Sequence, residues 1–294
     1  MRWQNREMDS HASREGIGQR LTSGGDSLTQ AERRVARALL ADYPAAGLDT
    51  VASLAGRAQV SGPTVIRFAK TLGYASFRAF QDALRDELGD REASALSQTR
   101  GHKRGDERAA LLRGVDDTLA ALPVHELEHA VELLSDSKRR VVAFGGDYSR
   151  VAADHLVLQL APVRSEVTAL PTASVLISTA IADIRRGDVW CVFDVRRYQS
   201  RARVIAEAAE RRGAVIVLFT DRWVSPVASC ASVVLTAQVE AAGPTDSAVP
   251  LLALTEVVCE RVERALGEAA FTRLSDVDPL RLRIDNAGHD AGPE

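Results

Sequence analysis

The sequence has few cysteines and no long hydrophobic segment. Its three cysteines, Cys191, Cys230 and Cys259, are far apart, and none belongs to a Cys-x-x-Cys pair. This spacing argues against a disulfide framework and against a zinc site. No apolar run approaches the roughly 20 residues that cross a bilayer, and residues 1–26 contain no apolar signal-peptide core. We therefore expect a cytoplasmic protein that is not embedded in a membrane.

Motifs for catalysis are also missing. The sequence contains no P-loop, no Gly-x-Ser-x-Gly and no His-Glu-x-x-His. His125 and His129 are spaced as on one helix face, but Glu126 and Glu128 lie beside them, which is typical of a solvated surface. Glu256 could be proposed as a proton-transferring base, although only its spacing supports that role. These absences favour a protein that is not an enzyme and that needs no cofactor or metal.

Acidic residues are absent from one segment of a slightly acidic chain. The formal net charge is −3, yet residues 51–81 contain no Asp or Glu, and their basic residues are Arg57, Arg67, Lys70 and Arg78. Only the surface that docks on DNA has to meet phosphates, so a DNA-binding module inside a larger acidic chain is expected to show this local excess. By charge alone, chance in an Arg-rich protein explains the segment equally well.

Residues 28–88 are predicted to form helices only. Thr29-Gln30-Ala31-Glu32 is a capping-box pattern that begins the first helix. Asp49 or Thr50 can cap the second helix, and Ser61 can cap a third. Three apolar residues are expected to form the core face of the third helix: Val65, Ile66 and Ala69. Two short helices, a tight break and a third helix indicate a helix-turn-helix; the alternative is a three-helix packing module with a polar face.

The third helix would enter the major groove by its N-terminal end, so hydrogen-bonding side chains are expected there. Arg67 can reach a base edge or a phosphate, while the shorter Ser61 and Thr64 suit close contacts. With residues of the preceding helix and turn added, the predicted DNA-binding residues are Arg57, Gln59, Ser61, Thr64, Arg67 and Lys70.

Three motifs stand out in this segment: Leu28-Thr29-Gln30-Ala31-Glu32, then Ser61-Gly62-Pro63-Thr64-Val65-Ile66-Arg67-Phe68, and Leu72-Gly73-Tyr74 followed by Phe77. With these motifs the segment resembles the DNA-binding domain of the RpiR/MurR-type regulators. The resemblance implies DNA binding through the helix that begins near Ser61, by a homodimer or homotetramer on an inverted repeat.

The pattern changes after Arg139, where short apolar runs alternate with helical stretches. Strands are predicted over residues 140–144, 166–170, 190–195, 214–220 and 232–236, and helices over 147–160, 173–181, 200–212 and 247–266. Strands of continuous Val, Ile and Leu character that alternate with helices indicate a parallel sheet covered on both faces. The predicted fold class is α/β, with an N-terminal all-helical helix-turn-helix domain followed by an α/β/α parallel-sheet domain.

Ligands of open parallel sheets bind beyond the carboxyl ends of the strands, near helix N-termini that attract anions. Three predicted loops lie there, over residues 145–150, 194–199 and 220–226. Adjacent guanidinium groups at Arg196 and Arg197 need an anion or nearby carboxylates, and Asp194 could be that carboxylate. The predicted effector-binding residues come from all three loops: Gly145, Gly146, Ser149, Arg150, Asp194, Arg196, Arg197, Thr220 and Ser225.

Three motifs of the second half are Gly187-Asp188-Val189, Arg211-Arg212-Gly213-Ala214 and the segment 220–228. Through them residues 139–266 resemble the sugar-isomerase (SIS) domain that follows the helix-turn-helix in RpiR-type regulators. The resemblance implies a carbohydrate-derivative ligand whose phosphate is wrapped by a Ser-x-Ser-Gly loop after the third strand. In this chain Asp194, Arg196 and Arg197 occupy those positions. A phosphosugar and a carboxylate-bearing anion are therefore both open, as is a dimerisation domain without ligand.

The predicted division of the chain is a disordered leader (1–27), a helix-turn-helix domain (28–88), a linker (89–108), an SIS-like effector-sensing and oligomerisation domain (109–276) and a flexible tail (277–294). The predicted function is a transcriptional regulator whose binding to a double-stranded DNA operator changes when a small anionic metabolite, of the phosphosugar or sugar-acid class, binds the sheet domain. The alternatives are a sugar-phosphate isomerase or lyase with a helical accessory domain, and an oligomerisation scaffold.

Overall fold

The computed structural model describes residues 17–23, 28–40, 42–92, 106–241 and 245–287. Its N-terminal part is helical. The helices are α1 (Ile17–Ser23), α2 (Gln30–Leu40), α3 (Ala45–Leu48), α4 (Val51–Ala58), α5 (Gly62–Thr71) and α6 (Phe77–Glu92). Helices α4 and α5 correspond to the predicted second and third helices on either side of the tight break, and Gln59 lies between them in the left-handed conformation (φ 53°).

Local side-chain hydrogen bonds begin two of these helices. The backbone N–H of Thr29 donates to Oε2 of Glu32 at 2.9 Å, and the N–H of Glu32 donates back to Oγ1 of Thr29 at 3.3 Å. This reciprocal pair is the predicted capping box. Oγ1 of Thr50 accepts from the N–H of Ser53 at 3.1 Å and caps α4. Ser61 precedes α5 in an extended conformation, but its side chain makes no capping hydrogen bond.

The prediction that Ile66 belongs to the core is wrong. Val65, Phe68 and Ala69 are fully buried, whereas Ile66 is 41% exposed. Each helical residue is turned by about 100° from the one before, so the face that contains residues 65, 68 and 69 turns residue 66 away from the core. Phe68 takes the core position, where its ring packs edge-on against Phe80.

The C-terminal part is an α/β domain. Its elements are α7 (Glu107–Ala120), α8 (Val124–Ser135), β1 (Val141–Gly145), α9 (Arg150–Leu160), β2 (Val167–Ala169), α10 (Ser174–Ala182), β3 (Val189–Asp194), α11 (Ser200–Arg211), β4 (Val215–Asp221), a 3₁₀ turn (Pro226–Ser229), β5 (Val233–Ala237), α12 (Val249–Leu266) and α13 (Glu268–Ala287). All strand pairs are parallel, in the order β2-β1-β3-β4-β5. The predicted fold class is confirmed. Within the described ranges, no helix combines the length and apolar character needed to span a bilayer.

Both faces of the sheet are covered, as the apolar strands predict. On one face Cys191 and Phe193 of β3 pack with residues of α9 and α12. On the other face Trp190 and Val192 pack with residues of α11. Every residue of β3 is buried, and this alternation along one strand fixes the sheet between two helical layers.

Two predictions for the chain ends are wrong within the described residues. Helix α1 lies in the predicted disordered leader, and its Ile17 and Leu21 are buried in the core of the helical part. Helix α13 extends through residues 277–287 of the predicted flexible tail. Two apolar residues are sufficient to hold the short helix α1 in place because they pack against elements that are distant in sequence. No local pattern reveals such packing. Residues 1–16, 24–27, 288–294 and most of the predicted linker, 93–105, lie outside the described ranges.

Helix α1 packs against the loop that follows β4, residues 222–225, which we call the β4 loop. A Cβ atom on Gly18 would be 2.7 Å from Cγ2 of Val224 and 3.1 Å from the carbonyl oxygen of Arg222. Val224 is buried with a φ of 54°, a strained backbone for a β-branched residue. Leu40, at the end of α2, packs against the core of the α/β domain. The helical part therefore rests directly on the β4 loop.

Candidate functional site

Helix α5 presents an exposed face that carries two cations. Ser61, Pro63, Ile66, Arg67 and Lys70 are exposed on it. The Arg67 side chain is 64% exposed, and its Nε lies 3.8 Å from Oε1 of Glu32. The face therefore combines hydrogen-bonding groups, positive charge and two apolar side chains, of which Ile66 is the larger.

Glu32 is a buried carboxylate behind this face. Oγ1 of Thr71 donates to its Oε1 at 2.8 Å, and Oγ1 of Thr29 donates to its Oε2 at 2.7 Å. Burial raises the pKa of Glu32, but hydrogen bonds from Thr29 and Thr71 and the charge of Arg67 together hold it below its ordinary value. The ionised carboxylate attracts the Arg67 guanidinium and so restricts where it can lie.

The remaining predicted DNA-binding residues are less available. Arg57 makes ion pairs with Asp42 at 3.0 Å and with Asp49 at 2.7 Å, so it would have to leave carboxylates to reach a phosphate. Thr64 is only 8% exposed, and its hydroxyl lies 2.9 Å from that of Ser61. Gln59 is exposed in the turn before α5. The structure thus brings Gln59, Ser61, Arg67 and Lys70 to the surface around α5 and buries Thr64.

A cavity of about 300 Å³ opens at the carboxyl ends of β1 and β2. It lies between the loop after β1, the loop after β2 and the start of α11. Its polar lining residues are Asp147, Arg150, Thr172, Gln199 and Arg201, and its apolar lining includes Phe144, Leu170, Ile177 and Ile205. This is the edge of the sheet at which parallel α/β domains bind ligands.

The charged groups of the cavity favour an anion. Arg150 is the first residue of α9 and Arg201 the second of α11, so both residues belong to the first turns of helices, whose N-termini also attract negative charge. Nη2 of Arg201 donates to the carbonyl of Thr172 at 2.5 Å, and Nε of Arg150 donates to Asp154 at 3.2 Å. Asp147 is the single carboxylate among the lining residues.

The glycines predicted in the first loop line this cavity, but Ser149 does not. Its hydroxyl accepts from the N–H of Gly146 at 2.9 Å and donates to the carbonyl of Phe193 at 2.5 Å. Gly145 lies so close to the start of α9 that a Cβ atom there would be 2.7 Å from the carbonyl carbon of Ser149. Ser149 therefore ties the loop to β3, and Gly145 allows that close approach.

Asp194, Thr220 and Ser225 form a buried hydrogen-bond network instead of lining the cavity. Asp194 is 2% exposed; its carboxylate accepts from Oγ of Ser225 at 2.5 Å and from the N–H of Gln199 at 3.4 Å. Oγ1 of Thr220 donates to the carbonyl of Asp194 at 2.7 Å. The carboxylate of Asp194 thus lies before the N-terminus of α11, the place where an anion would otherwise bind.

Arg196 and Arg197 point to different surroundings. Nε of the buried Arg196 donates to Asp246 at 3.1 Å, and Nη2 completes the ion pair. The carboxylate paired with Arg196 is thus Asp246, which the sequence did not suggest. The Arg196 guanidinium also lies 5.1 Å from the ring centroid of Trp223 in the β4 loop. Arg197 is exposed with a φ of 70°, and neither arginine lines the cavity near β1 and β2.

Asp221 was also missed from the sequence. It is buried at the end of β4 and accepts from the backbone N–H of Arg196, from Oη of Tyr198 at 2.5 Å and from the N–H of Trp223 at 3.0 Å. Burial raises its pKa to about 6, against the lowering effect of these hydrogen bonds. Asp221 therefore joins the loop after β3 to the β4 loop. The signal that could have found it is a carboxylate at the end of a strand that is otherwise mostly apolar.

The chain matches two family models. The helix-turn-helix domain of the rpiR family matches residues 15–91, and the SIS domain matches residues 133–261. The chain is 30% identical to the HTH-type transcriptional regulator HexR of Pseudomonas aeruginosa over 222 residues, which are 71% of this chain and 74% of that protein. It is 23% identical to the HTH-type transcriptional regulator RpiR of Escherichia coli over 227 residues, or 75% of each.

Two solved structures share the fold. The sugar isomerase domain of the RpiR transcription factor from Sphaerobacter thermophilus superposes with a TM-score of 0.55 at 25% identity, covering 59% of this chain and 96% of that one. The Vibrio vulnificus NanR protein complexed with ManNAc-6P superposes with a TM-score of 0.53 at 19% identity, covering 90% of this chain and 97% of that one. The NanR likeness therefore extends over both the helical part and the sheet.

Proposed function

We propose that this chain, which belongs to the rpiR family of helix-turn-helix transcriptional regulators, couples the capture of a small anionic metabolite by its SIS domain to operator binding. It is a DNA-binding regulator of transcription, since both family domains are present and the relatives that match along most of its length are named regulators. The observation that carries the coupling proposal is the arginine-lined cavity at the carboxyl edge of the sheet.

On the DNA side, we assign the major-groove contact to the exposed face of α5. Arg67 and Lys70 supply charge for phosphates or guanine, and Ser61 and Gln59 supply hydrogen bonds at the end that would enter the groove. Arg57 contributes once its carboxylate partners are exchanged for phosphate. We further propose that the chain acts in the cytoplasm as a homodimer or homotetramer, because a symmetric pair of such helices fits an inverted repeat.

On the ligand side, we propose a sugar-sized anion of the phosphosugar or sugar-acid class. A volume of about 300 Å³ is at the small end of ligand sites. NanR was solved with ManNAc-6P, which supports a sugar phosphate as the first compound to test. Since Asp194 already lies before α11, the anionic group would be held by Arg150 and Arg201 from the sides of the cavity.

A sugar isomerase is the weaker alternative. Such an enzyme needs a proton-transferring base beside the ligand. Glu256 does not line the cavity; it lies on α12, where Oε1 is 3.3 Å from Nε2 of His155. Asp147, the lining carboxylate, is exposed and has no feature that marks it as a base.

The test of DNA binding uses the full chain and a duplex selected by it from a random-sequence library. Arg67→Ala is expected to weaken binding by roughly tenfold or more, since a base or charged contact contributes about 1–3 kcal/mol. Arg85→Ala is the matched control, because Arg85 is exposed on α6 and pairs with Asp82. Equal affinities of both variants would remove α5 as the DNA-contacting helix.

The test of the cavity measures thermal stabilisation by a panel of sugar phosphates and sugar acids. A compound that stabilises the wild type and changes its DNA affinity should do neither in Arg150→Ala or Arg201→Ala. Arg197→Ala is the control, since Arg197 lies outside the cavity. If Arg197→Ala loses the response and the cavity variants keep it, the site lies at the loop after β3 instead.

A further inference from the structure

We infer that Ile66 reads sequence in the operator by contacting the 5-methyl group of a thymine in the major groove. This inference rests on the proposed function, because it requires α5 to enter the groove. It adds a specificity determinant to a face on which Arg67 and Lys70 supply charge and Ser61 supplies hydrogen bonds.

The exposure of Ile66 is unusual for its domain. Among the described residues 17–23, 28–40 and 42–92, it is the one large apolar side chain that is exposed, at 41%. The core of α5 is complete without it, because Val65, Phe68 and Ala69 are fully buried. Ile66 is therefore placed outward by the helix and has no large share in holding the domain together.

The neighbours of Ile66 indicate what it meets. Pro63 is exposed one turn before it, Arg67 follows it directly, and Lys70 is one turn after it on the same side of α5. The segment 51–81 carries no carboxylate that would repel phosphates. The two cations bring this face against a nucleic acid backbone, so the apolar side chain of Ile66, which precedes both on the same exposed face, is carried toward the base edges.

The chemistry of the groove then selects one base. Of the four base pairs seen from the major groove, only those with thymine present an apolar methyl group. Contacts of Arg67 and Lys70 with phosphates carry no sequence information. An apolar side chain that desolvates a methyl group does, because a cytosine or guanine edge in its place would leave polar atoms without partners.

The test removes only the methyl group. In the duplex selected by the wild-type chain, each thymine is replaced in turn by deoxyuridine, and affinity is measured by fluorescence anisotropy for wild type, Ile66→Ala and Val124→Ala. Burying one methyl group corresponds to about a fourfold change in affinity. We expect the affinity of the wild type to fall about fourfold when deoxyuridine replaces one or two particular thymines. At those positions Ile66→Ala should bind the parent duplex and the deoxyuridine duplex equally. Val124, exposed on α8 of the C-terminal α/β domain, is the apolar control and should behave as wild type.

Two results would overturn the inference. The first is a wild type that binds every deoxyuridine duplex as well as the parent. The second is an Ile66→Ala variant that keeps the full loss at the same thymines. Failure of the proposed function looks different, because the wild type would then select no duplex and Arg67→Ala would change nothing. Thermal melts of both variants, expected to match the wild type, ensure that lost binding is not lost folding.

Discussion

Alanine in place of Gly145 is expected to disrupt the floor of the cavity, whereas alanine in place of Gly146 is expected to be tolerated. A Cβ atom on Gly145 would lie 2.7 Å from the carbonyl carbon of Ser149 and 2.8 Å from the backbone nitrogen of Arg150, closer than real Cβ atoms come. Both atoms are backbone at the start of α9 and cannot rotate away. On Gly146 the nearest atom would be Cδ of Gln199 at 3.3 Å, which belongs to a flexible side chain.

The size of the effect follows from what must move. Forcing one extra carbon into packed structure costs about 1–3 kcal/mol. A shifted loop would also weaken the bonds that the Ser149 hydroxyl makes to Gly146 and Phe193, each about 1 kcal/mol. Gly145→Ala should therefore lose about 2–4 kcal/mol of unfolding free energy. Gly146→Ala should change it by less than about 1 kcal/mol.

Equilibrium urea unfolding, followed by tryptophan fluorescence, measures the difference. Trp190 is a suitable reporter because it is buried in β3, with its ring edge-on to Phe144 at 6.2 Å. A metabolite that stabilises the wild type should still stabilise Gly146→Ala and should fail to stabilise Gly145→Ala. If both variants unfold at the same urea concentration, the close approach of the loop to α9 is not what requires glycine.

Three further predictions concern the contact between the domains and the charges near it. Gly18→Ala should lower the free energy of unfolding by about 1–3 kcal/mol, because its Cβ would clash with the β4 loop. Gly89→Ala has open space around its Cβ and should raise the free energy of unfolding, measured in urea, by about 0.5–1 kcal/mol. Burial raises the pKa of Glu87 from 4.5 to about 7, so the folded state holds the proton more tightly than the unfolded state does. The free energy of unfolding should therefore fall as the pH rises from 4.5 to about 7. Glu87→Gln should reduce this pH dependence. Arg196→Ala should lower the free energy of unfolding by about 2–4 kcal/mol, because Asp246 loses the guanidinium group that it pairs with. The double variant Arg196→Met, Asp246→Leu should recover part of this loss in urea unfolding.

Each of these predictions has a contradicting outcome. A Gly18→Ala variant at least as stable as the wild type would mean that α1 does not pack tightly against the β4 loop. A pH dependence that persists unchanged in Glu87→Gln would place the titrating group elsewhere. A double variant no more stable than Arg196→Ala would show that the ion pair is not the source of the loss.

The sheet was predictable because buried parallel strands leave a strong local record. The runs around β3 and β4 contain only apolar residues over most of their length, and no amphipathic helix has that pattern. The order of the strands was not predicted, because no local sequence pattern shows which strands pair. Helix α1 was not predictable, because Ile17 and Leu21 are stabilised by distant packing that a seven-residue segment does not encode.

The candidate site was predicted only in part. Gly145, Gly146 and Arg150 follow directly from the end of β1, and the cavity contains them. Thr172 and Arg201 could not be chosen, since their place in the cavity depends on which loops share one side of the sheet. Asp246, the partner of Arg196, is 50 positions away in sequence, so no spacing rule would join them.

The β4 loop contacts helix α1 of the helical domain and also takes part in the hydrogen-bond networks of Asp194 and Asp221. A genetic selection for altered regulation should therefore yield substitutions outside the DNA-binding and metabolite-binding surfaces as well as within them. Substitutions at Trp223 and Val224 should recur among alleles that are permanently on or permanently off, because they alter how the two halves are seated while leaving both contact surfaces intact.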